Sequence, residues 1–366
     1  MGQPPGTEAL ILALPETAGS ALYGMVDVLA ATGALWRELV GEPPGAALIR
    51  PRIVSRSRAP FRCGNAIPVA PELAVADDPA AGIVILPELW LAPDDDLRER
   101  YGDVKEWVRR RYRTGSTIYS ACSGAVLLAA TGLLDRRDAT SHWGYQDLFR
   151  RSFPEVRFRP EPNLVVADPG GRIVTAGGTS SWHDLAIHII ARHCSPGEAL
   201  RIAKVYLLKW HGEGQLPYTS LVRRQPPADA IVRHAEEWLA RHFRQPQAVA
   251  GVVAAVRIPE RTLKRRFKLA TGITLLGHVQ NLRIEEAKRL LEDGGTPVEE
   301  IASAVGYENH AFFRRLFRRC TGLAPGHYRR MFAPIASADA AAEHGLHTTA
   351  GSASASRPTP PRSAFT

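Results

Sequence analysis

The amino-acid sequence predicts an α/β sandwich with a mostly parallel sheet, followed by an all-α domain with two helix-turn-helix motifs. Short aliphatic segments alternate with helical patterns in the first half of the 366-residue chain. This alternation is typical of a parallel sheet covered by helices on both faces. From Ala228 to Phe332 the apolar spacing is helical throughout. The hydrophobic fraction of 45% is sufficient for sizeable buried cores.

The α/β domain is predicted over residues 7–211. Strands are expected at Ala9–Leu14, Leu48–Val54, Ile83–Leu86 and Thr117–Ser120, and Leu164–Ala167 with Arg172–Thr175 should form a hairpin. Helices are expected at Leu22–Ala31, Asp94–Arg113, Gly124–Thr131, Trp182–His193 and Gly197–Trp210. Acidic residues at the start of Asp94–Arg113 favour a helix N-terminus there, since they complement the helix dipole.

Three further segments follow this domain. Residues 212–227 are predicted to be a linker, because glycines and the pair Pro226–Pro227 interrupt regular structure. Residues 228–333 form the predicted all-helical domain. Residues 334–366 are rich in Ala, Ser, Thr and Pro with few large apolar side chains, which predicts a disordered tail.

Composition indicates a cytoplasmic protein. The longest apolar runs, such as Ala9–Pro15, are shorter than the ~20 helical residues that span a bilayer. The segment Met1–Thr7 has no basic residue, which is untypical of a signal peptide. The four cysteines show no CxxC spacing. We therefore expect no membrane partner, no metal, no cofactor and no disulfide framework.

The positive charge is concentrated in the helical domain. Residues 228–333 contain 18 lysines and arginines against 11 aspartates and glutamates, which is most of the net charge of +9. Such asymmetry indicates an anionic partner, with nucleic acid as the first candidate. A solvated basic face is the alternative, and charge alone does not distinguish the two.

The helical domain contains two segments with one layout: a short helix, a turn and a basic helix. The basic helices are predicted at Glu260–Ala270 and Asn309–Cys320, and a long helix, Thr274–Glu292, links the two segments. Each basic helix has an apolar stripe for docking and positive charge on its other faces, as a helix that enters a DNA major groove requires. In the second turn, Gly306 supplies the positive φ that a tight interhelical turn often needs.

This region resembles the AraC-type DNA-binding domain over roughly residues 247–331. The similarity is carried by Arg261–Phe267 with Thr271–Gly272, and by Ile301–Ala302, Val305–Tyr307, Phe313–Arg319, Thr321–Pro325 and Tyr328–Arg329. The resemblance implies that base edges of double-stranded DNA are contacted by Arg261, Lys264, Arg265, His310, Ala311, Arg314 and Arg315. Pro259 stands where the family usually has a Ser or Thr cap, so we expect a slightly altered start of the first basic helix and retained binding.

In the α/β domain, Cys122 lies between a predicted strand and a small-residue helix. This is the arrangement of a nucleophile elbow, in which a sharp turn exposes the side chain above the sheet. A helix N-terminus at this position is expected to favour the thiolate and to make Cys122 the most reactive of the cysteines. His142, twenty residues further on, is a candidate base for the thiol.

The segment from Tyr119 to Trp143 resembles PfpI-type proteins of the class I glutamine-amidotransferase-like superfamily. With Thr175–Gly178 and Asp184–Ala186 it is similar to the sensor half of GlxA-type transcriptional regulators, in which a PfpI-like domain precedes an AraC-type domain. The resemblance implies a PfpI/flavodoxin-like sheet and a transcription regulator. Its expected partners are DNA, a small-molecule effector, RNA polymerase and a second copy of the chain.

Catalysis is not expected at the elbow. Enzymes of the superfamily usually place an acid near the start of the first helix, and the corresponding stretch Gly19–Gly24 contains none. Cys122 and His142 are therefore interpreted as vestigial, and Tyr23, Cys122, His142 and Trp143 as candidates for an effector pocket. A cysteine-dependent amidase or hydrolase, a redox sensor acting through Cys122, and a cysteine with only a packing role are the alternatives.

Overall fold

A computed structural model of the protein describes residues 6–222 and 228–336. Backbone contacts divide this part of the chain into two compact units, one that ends at Thr219 and one that begins at Ser220. Among the described helices, none combines the length and the apolar character that a membrane crossing requires.

The first unit contains a sheet of seven strands in its described residues, in the order β10-β11-β7-β6-β1-β2-β5. The strands of the unit are β1 (Thr7–Leu12), β2 (Ile49–Ser55), β3 (Phe61–Arg62), β4 (Pro68–Val69), β5 (Leu73–Ala74), β6 (Ile83–Leu86), β7 (Thr117–Ala121), β8 (Asp138–Ala139), β9 (Arg157–Phe158), β10 (Leu164–Val166) and β11 (Ile173–Ala176). All neighbours in the large sheet are parallel except β10 and β11, which form the predicted hairpin. The predicted mostly parallel sheet is confirmed.

Helices cover both faces of this sheet. They are α1 (Gly19–Ala30), α2 (Leu35–Leu39), α3 (Gly102–Arg113), α4 (Gly124–Ala130), α5 (Gln146–Ser152), α6 (Trp182–His193) and α7 (Pro196–Val205). Alternate residues of β1 point to opposite cores, because side chains alternate across a strand. Leu10 and Leu12 join the core beneath α3, α4 and α5. Ala9 and Ile11 join the core beneath α1, α6 and α7.

Two predicted helices of this unit are shorter than expected. The helix predicted over Asp94–Arg113 begins only at Gly102. The Asp96 carboxylate accepts a hydrogen bond from the backbone N–H of Arg98, and Tyr101 has a positive φ of 57°. Aspartate side chains favour turns when they satisfy a nearby backbone donor in this way. Likewise α7 ends at Val205, and Leu207 then adopts a positive φ of 54°.

The second unit is helical in all its described elements. These are α8 (Ala230–His242), α9 (Ala248–Val256), α10 (Glu260–Thr271), α11 (Leu275–Glu292), α12 (Val298–Ala304), α13 (His310–Thr321) and α14 (Pro325–Ala336). The bounds of the two predicted basic helices and of the long linking helix agree with α10, α13 and α11 to within one residue. Gly306 has a φ of +90°, as predicted for the turn before α13.

Two separate cores hold this unit together, and α11 contributes to both. Val279, near its start, packs with residues of α8, α9 and α10 such as Val252 and Phe267. Further along α11, Ile284 and Leu291 pack with α12, α13 and α14. We call α8–α10 the first module and α12–α14 the second module. The long helix therefore joins the modules through its own hydrophobic surface.

The predicted linker is structured at its start. Residues 212–219 lie in the first unit, where Gln215 is only 3% exposed. Leu221 packs against the second-module core, and its backbone N–H donates to the Glu285 carboxylate at 3.0 Å. Residues 223–227 of the linker, and the predicted tail from residue 337, lie outside the described residues. Residues 334–336 belong to α14.

Candidate functional site

Helix α10 presents a basic face to solvent and an apolar face to the first-module core. Arg261, Lys264 and Arg265 are exposed, whereas Leu263 and Phe267 are completely buried. The three basic side chains are those that sequence analysis selected for DNA contact. The helix packs on its module through the apolar stripe, and its basic face remains available to a polyanion.

Two basic side chains of α10 are engaged within the second unit. The Nζ of Lys264 lies 2.5 Å from the Oε1 of Glu260, one turn earlier. Arg266 donates to both carboxylate oxygens of Asp229, at 2.8 and 2.9 Å. Asp229 also caps the N-terminus of α8, and the Arg266 guanidinium holds the pKa of its carboxyl below the usual value. Arg266 therefore stabilises the module.

Helix α13 has the same two-faced construction. Ala311, Arg314 and Arg315 are exposed, and Phe313 and Phe317 are completely buried. His310, the remaining candidate, is half-buried at the first position of the helix, and its Nε2 lies 3.2 Å from the Oγ of Ser303. The Arg314 guanidinium forms an ion pair with Glu299 of α12. Arg315 has no carboxylate partner among the described residues.

The two basic helices begin differently. Asn309 caps α13, and its Oδ1 accepts a hydrogen bond from the backbone N–H of Phe312 at 2.9 Å. Pro259 occupies the corresponding position before α10 and provides no side-chain hydrogen bond. Its φ of −55° is compatible with the start of a helix, so α10 forms without the cap.

The elbow predicted at Cys122 is present. Cys122 has a positive φ of 52° and lies between β7 and α4, with its backbone N–H donating to the carbonyl of Ala176 at 3.0 Å. Gly124 permits this turn, because a Cβ there would stand 2.2 Å from the carbonyl oxygen of Leu86. The thiol is nevertheless buried, with 2% of the residue exposed.

The structure places a carboxylate at the elbow that sequence analysis missed. The Oε1 of Glu88 lies 3.5 Å from the Sγ of Cys122 and accepts a hydrogen bond from the hydroxyl of Thr179 at 3.0 Å. The start of the first helix supplies no acid, as the sequence indicates, but the elbow has one from another element. The acid comes from the end of β6 and not from α1. The sequence signal for Glu88 is its position just after a buried strand. The carboxyl ends of adjacent parallel strands lie at one edge of the sheet, so a residue there can reach Cys122.

Burial dominates the protonation chemistry of the elbow. It raises the pKa of the Cys122 thiol, and the neighbouring Glu88 raises it further. Burial also raises the pKa of Glu88, and the pKa of Tyr145 rises to about 12 through burial and the proximity of Cys122 and Glu88. The prediction of a helix-stabilised thiolate is therefore wrong, because desolvation and a like charge outweigh the helix terminus.

His142 is not the partner of the thiol. Its Nδ1 accepts a hydrogen bond from the backbone N–H of Gly144 at 3.0 Å, and burial lowers its pKa. Its ring lies against Trp143, with centroids 4.9 Å apart. The preceding residue, Ser141, does reach the elbow, since its hydroxyl donates to the Cys122 carbonyl at 2.7 Å. The loop that carries His142 is thus adjacent to the elbow.

Tyr23 is directed elsewhere. Its hydroxyl donates to the carbonyl of Pro68 at 2.7 Å, and its pKa is raised by burial and by the nearby Cys63. Its hydrogen bond therefore joins α1 to the β3–β4 hairpin. The structure does not bring Tyr23 together with the other three pocket candidates.

Gln215 connects the elbow loop to the segment that leaves the first unit. Its Nε2 donates to the hydroxyl of Thr140 and to the carbonyl of Ser141, both at 3.0 Å. Its Oε1 accepts a hydrogen bond from the backbone N–H of Trp143 at 3.3 Å. Gln215 falls in the predicted linker, and no local pattern marks a glutamine for burial.

Clefts in the first unit lie away from the elbow. One is lined by residues of α5 and β9, including Gln146 and Phe158, and another lies beside Ala129 and Asp135. Cys122 borders neither of these two clefts. The elbow is closed in this structure, because Cys122 and Glu88 are both buried.

Comparison with known proteins defines the class of protein. Residues 33–192 match the model of the DJ-1/PfpI family, and residues 252–331 match a helix-turn-helix domain. The sheet with its elbow cysteine and the two basic helices thus define a DNA-binding transcription regulator with an N-terminal DJ-1/PfpI domain.

Two relatives are named as HTH-type transcriptional regulators. The HTH-type transcriptional regulator CdhR of Pseudomonas aeruginosa is 26% identical over 285 residues, which cover 78% of this chain and 82% of CdhR. The HTH-type transcriptional regulator GlxA of Rhizobium meliloti is 30% identical over 228 residues, which cover 61% of this chain and 68% of GlxA. DJ-1beta of Drosophila melanogaster aligns with a TM-score of 0.45 at 16% identity, over 56% of this chain and 100% of that one. The chain belongs to the GlxA-type family of HTH transcriptional regulators.

Proposed function

We propose that the first unit senses a small-molecule effector at the elbow, without catalysis, and that Gln215 transmits the response toward the DNA-binding unit. The hydrogen bonds of Gln215 carry this proposal. They join the loop Thr140–Trp143, next to Cys122, to the segment through which the chain leaves the unit at Thr219. A change at the elbow therefore has a short path to that segment.

Because the elbow is closed, we propose that entry of the effector is coupled to release of the loop Thr140–Trp143 beside it. Cys122 and Glu88 are 2% and 4% exposed, so an effector reaches them only when neighbouring residues move. The adjacent loop is held by Gln215 and by the hydrogen bond from Ser141 to Cys122. Effector entry would break these bonds and free Gln215. A ligand shifts such an equilibrium by its differential affinity for the open state.

Glu88 indicates the chemistry of the effector. Its Oε2 is buried and has no hydrogen-bond partner among the described residues. A buried oxygen without a partner carries a desolvation cost that a ligand donor would remove. We propose that the effector presents an N–H or O–H group to Glu88, beside Cys122, His142 and Trp143. Tyr23 has no part in this revised site.

The state of the thiol supports the proposal that the elbow does not catalyse a reaction. A cysteine nucleophile acts as a thiolate, and burial together with Glu88 raises the pKa of Cys122. No hydrogen bond joins the thiol to His142 within residues 6–222, where both lie. In this proposal the protonated thiol, hydrogen-bonded to Glu88 and not to an imidazole, lines a binding site and does not act as a nucleophile.

The test compares full-length wild type with Gln215→Ala, and with Gln146→Ala as a control at an exposed glutamine of the same unit. Iodoacetamide labelling of Cys122 should be faster in Gln215→Ala only, because the elbow loop loses its anchor. Affinity for DNA should change in the same variant. Equal labelling of Cys122 in all three proteins would refute the proposed transmission.

A cysteine-dependent hydrolase is the second candidate, and Glu88 favours it. The acid absent from Gly19–Gly24 is supplied by another element, as a general acid or base at the thiol would require. Wild type, Cys122→Ala and Glu88→Gln should be assayed for amide hydrolysis and α-oxoaldehyde hydration. We expect no activity above background in any of them. Turnover that disappears in Cys122→Ala would establish the enzyme, and DNA binding altered only by peroxide would establish a redox sensor.

For the second unit we propose that α10 and α13 enter successive major grooves about 34 Å apart. Base contacts would come from exposed residues of both helices together with the half-buried His310. The proposed contact residues are Arg261, Lys264, Arg265, His310, Ala311, Arg314 and Arg315. We propose that the protein acts in the cytoplasm and, as a regulator, meets RNA polymerase and a second copy of itself. Footprinting of the intact protein on genomic fragments tests this proposal, since it requires two protected half-sites on one face of the DNA.

A further inference from the structure

We infer that Arg283 sets the orientation of the first module relative to the second and thereby the half-site spacing that the protein selects. Arg283 is a positioning residue, because it lies on α11 and not on either basic helix. The inference rests on the proposed entry of α10 and α13 into successive grooves.

Three backbone carbonyls surround the Arg283 guanidinium. Its Nε donates to Phe243 at 2.7 Å, its Nη2 to Gln245 at 2.7 Å, and its Nη1 to Gly306 at 2.8 Å. Arg283 is 8% exposed, so these bonds are shielded from water. The guanidinium also lies 4.9 Å from the centre of the Tyr307 ring, within the range of a cation–π interaction.

The three carbonyls come from the two modules, two from the first and one from the second. Phe243 and Gln245 follow α8, which packs in the first-module core. Gly306 forms the turn between α12 and α13, and Tyr307 packs in the second-module core. The Arg283 side chain therefore spans the junction between the first module, which contains α10, and the second module, which contains α13.

The backbones of the two modules also meet at this point. A Cβ at Gly306 would stand 2.4 Å from the carbonyl oxygen of Arg244 and 3.0 Å from the Cζ of Arg283. Arg244 in turn forms an ion pair with Glu286 of α11, with 2.6 Å between Nη2 and Oε1. The junction is thus tight around a single planar group.

The shape of the guanidinium explains why arginine is needed. Its N–H groups point in fixed in-plane directions, so three simultaneous bonds define the positions of three carbonyls. A lysine retains the charge, but its ammonium is a compact group on a flexible stem and does not impose that geometry. Arg283→Lys should therefore loosen the angle between the modules while both hydrophobic cores remain.

The experiment measures how strictly the full-length protein requires one spacing. The probe is a DNA duplex enriched by wild type from a random-sequence library, together with the same duplex carrying five extra central base pairs and with each half-site alone. The insertion turns the half-sites about half a helical turn apart. Wild type should bind the inserted duplex about 100-fold more weakly, because simultaneous engagement is lost.

Arg283→Lys should bind the original and inserted duplexes with affinities that differ by less than about tenfold, since a looser junction tolerates both spacings. Its affinity for single half-sites should match that of wild type. Arg289→Lys is the control, because Arg289 lies on the same helix, is exposed and pairs only with carboxylates among the described residues. Arg283→Gln, which removes the charge, provides a second variant if Arg283→Lys does not fold.

The outcomes distinguish failure of the proposed groove entry from failure of the role of Arg283 alone. Wild type that tolerates the insertion would overturn the entry of two helices into successive grooves, and with it the role of Arg283. Wild type that rejects the insertion, with Arg283→Lys and Arg283→Gln rejecting it equally, would overturn the role of Arg283 alone. Loss of single half-site affinity in both variants would also overturn it, since Arg283 would then only maintain the fold.

Discussion

The Sγ of Cys122 lies 3.5 Å from the Oε1 of Glu88, although 34 positions separate the two residues in the chain. They meet because β6 and β7 are parallel neighbours, with Leu86 opposite Ser120. Burial disfavours the ionised form of both groups, and Glu88 further disfavours the thiolate of Cys122, whereas the hydrogen bond from the thiol favours the carboxylate of Glu88. The pair gives the elbow an enclosed character, with a thiol whose ionisation is disfavoured, that differs from that of an activated nucleophile.

Glu88→Gln should stabilise the first unit at high pH more than at low pH. Burial raises the pKa of Glu88 above its ordinary value of 4.5. The contribution of a group with a raised folded-state pKa is fully present below the unfolded-state pKa and is lost as pH rises through the folded-state pKa. The stability gained by the variant should therefore grow as the pH rises above the ordinary pKa of 4.5, as measured by urea unfolding. Glu99→Gln, at an exposed glutamate, should show no such growth.

The cysteines should label in an order set by exposure. Cys194 and Cys320 are partly exposed, whereas Cys63 and Cys122 are buried. Burial raises the pKa of all four thiols, and for Cys122 the carboxylate of Glu88 adds to it. We expect iodoacetamide to modify Cys122 at least about tenfold more slowly than Cys320 in the native protein, since reactivity follows thiolate fraction and access. Mass spectrometry of timed samples measures both rates. If Cys122 labelled first, the elbow would be open in solution.

Arg315→Ala should weaken binding to a selected DNA site by about 1–3 kcal/mol and relax the preference at one base position. Arg315 is exposed on α13 and has no carboxylate partner among the described residues, so its guanidinium is available to a base edge. Mobility-shift titrations at two salt concentrations give the affinity and its salt dependence, which should be steep because several phosphates are neutralised.

Arg266→Ala provides the contrast within the same unit. Arg266 is bound to Asp229, so its loss should lower the unfolding temperature through the cap of α8 and leave base preference unchanged. The assignment of α13 as a DNA-reading helix fails if the Arg315→Ala protein binds as wild type does at both salt concentrations.

A fragment of residues 220–336 should fold alone and bind DNA. Its two cores are formed from its own helices, and Leu221 adds hydrogen bonds to α11 through Glu285 and Asn281. A fragment that begins at Ala228 lacks these bonds and should melt at a lower temperature. Circular dichroism and mobility shift measure both properties. A helical 220–336 fragment with no affinity for any DNA at low salt would contradict the prediction.

Full-length protein should bind a two-copy site more tightly than the 220–336 fragment if the first unit dimerises. A tether between two DNA-binding units makes the second binding event intramolecular, so the overall affinity can exceed that of a single unit by about 10²-fold or more. Sedimentation of the full-length protein and titration of both proteins on one duplex test this. Equal affinities with a monomeric full-length protein would exclude dimerisation through the first unit.

Features that depend on neighbours along the chain could be predicted from the amino-acid sequence. Helices α10, α11 and α13 follow from apolar spacing over three or more turns, and the positive φ of Gly306 follows from its place between two helices. The elbow at Cys122 follows from a buried strand that runs directly into a small-residue helix. Each of these patterns is local, so that period and turn chemistry suffice to predict it.

Which distant residues meet depends on how the elements pack. Strand order brought Glu88 to Cys122, the β3–β4 hairpin engaged Tyr23, and the path of the chain after α7 buried Gln215. The junction of the modules likewise turned Arg283, one arginine of a helical pattern, into the donor to three carbonyls. A hydrogen bond between residues far apart in the chain depends on how strands and helices pack, and the periodicity of a single segment contains no information about that packing.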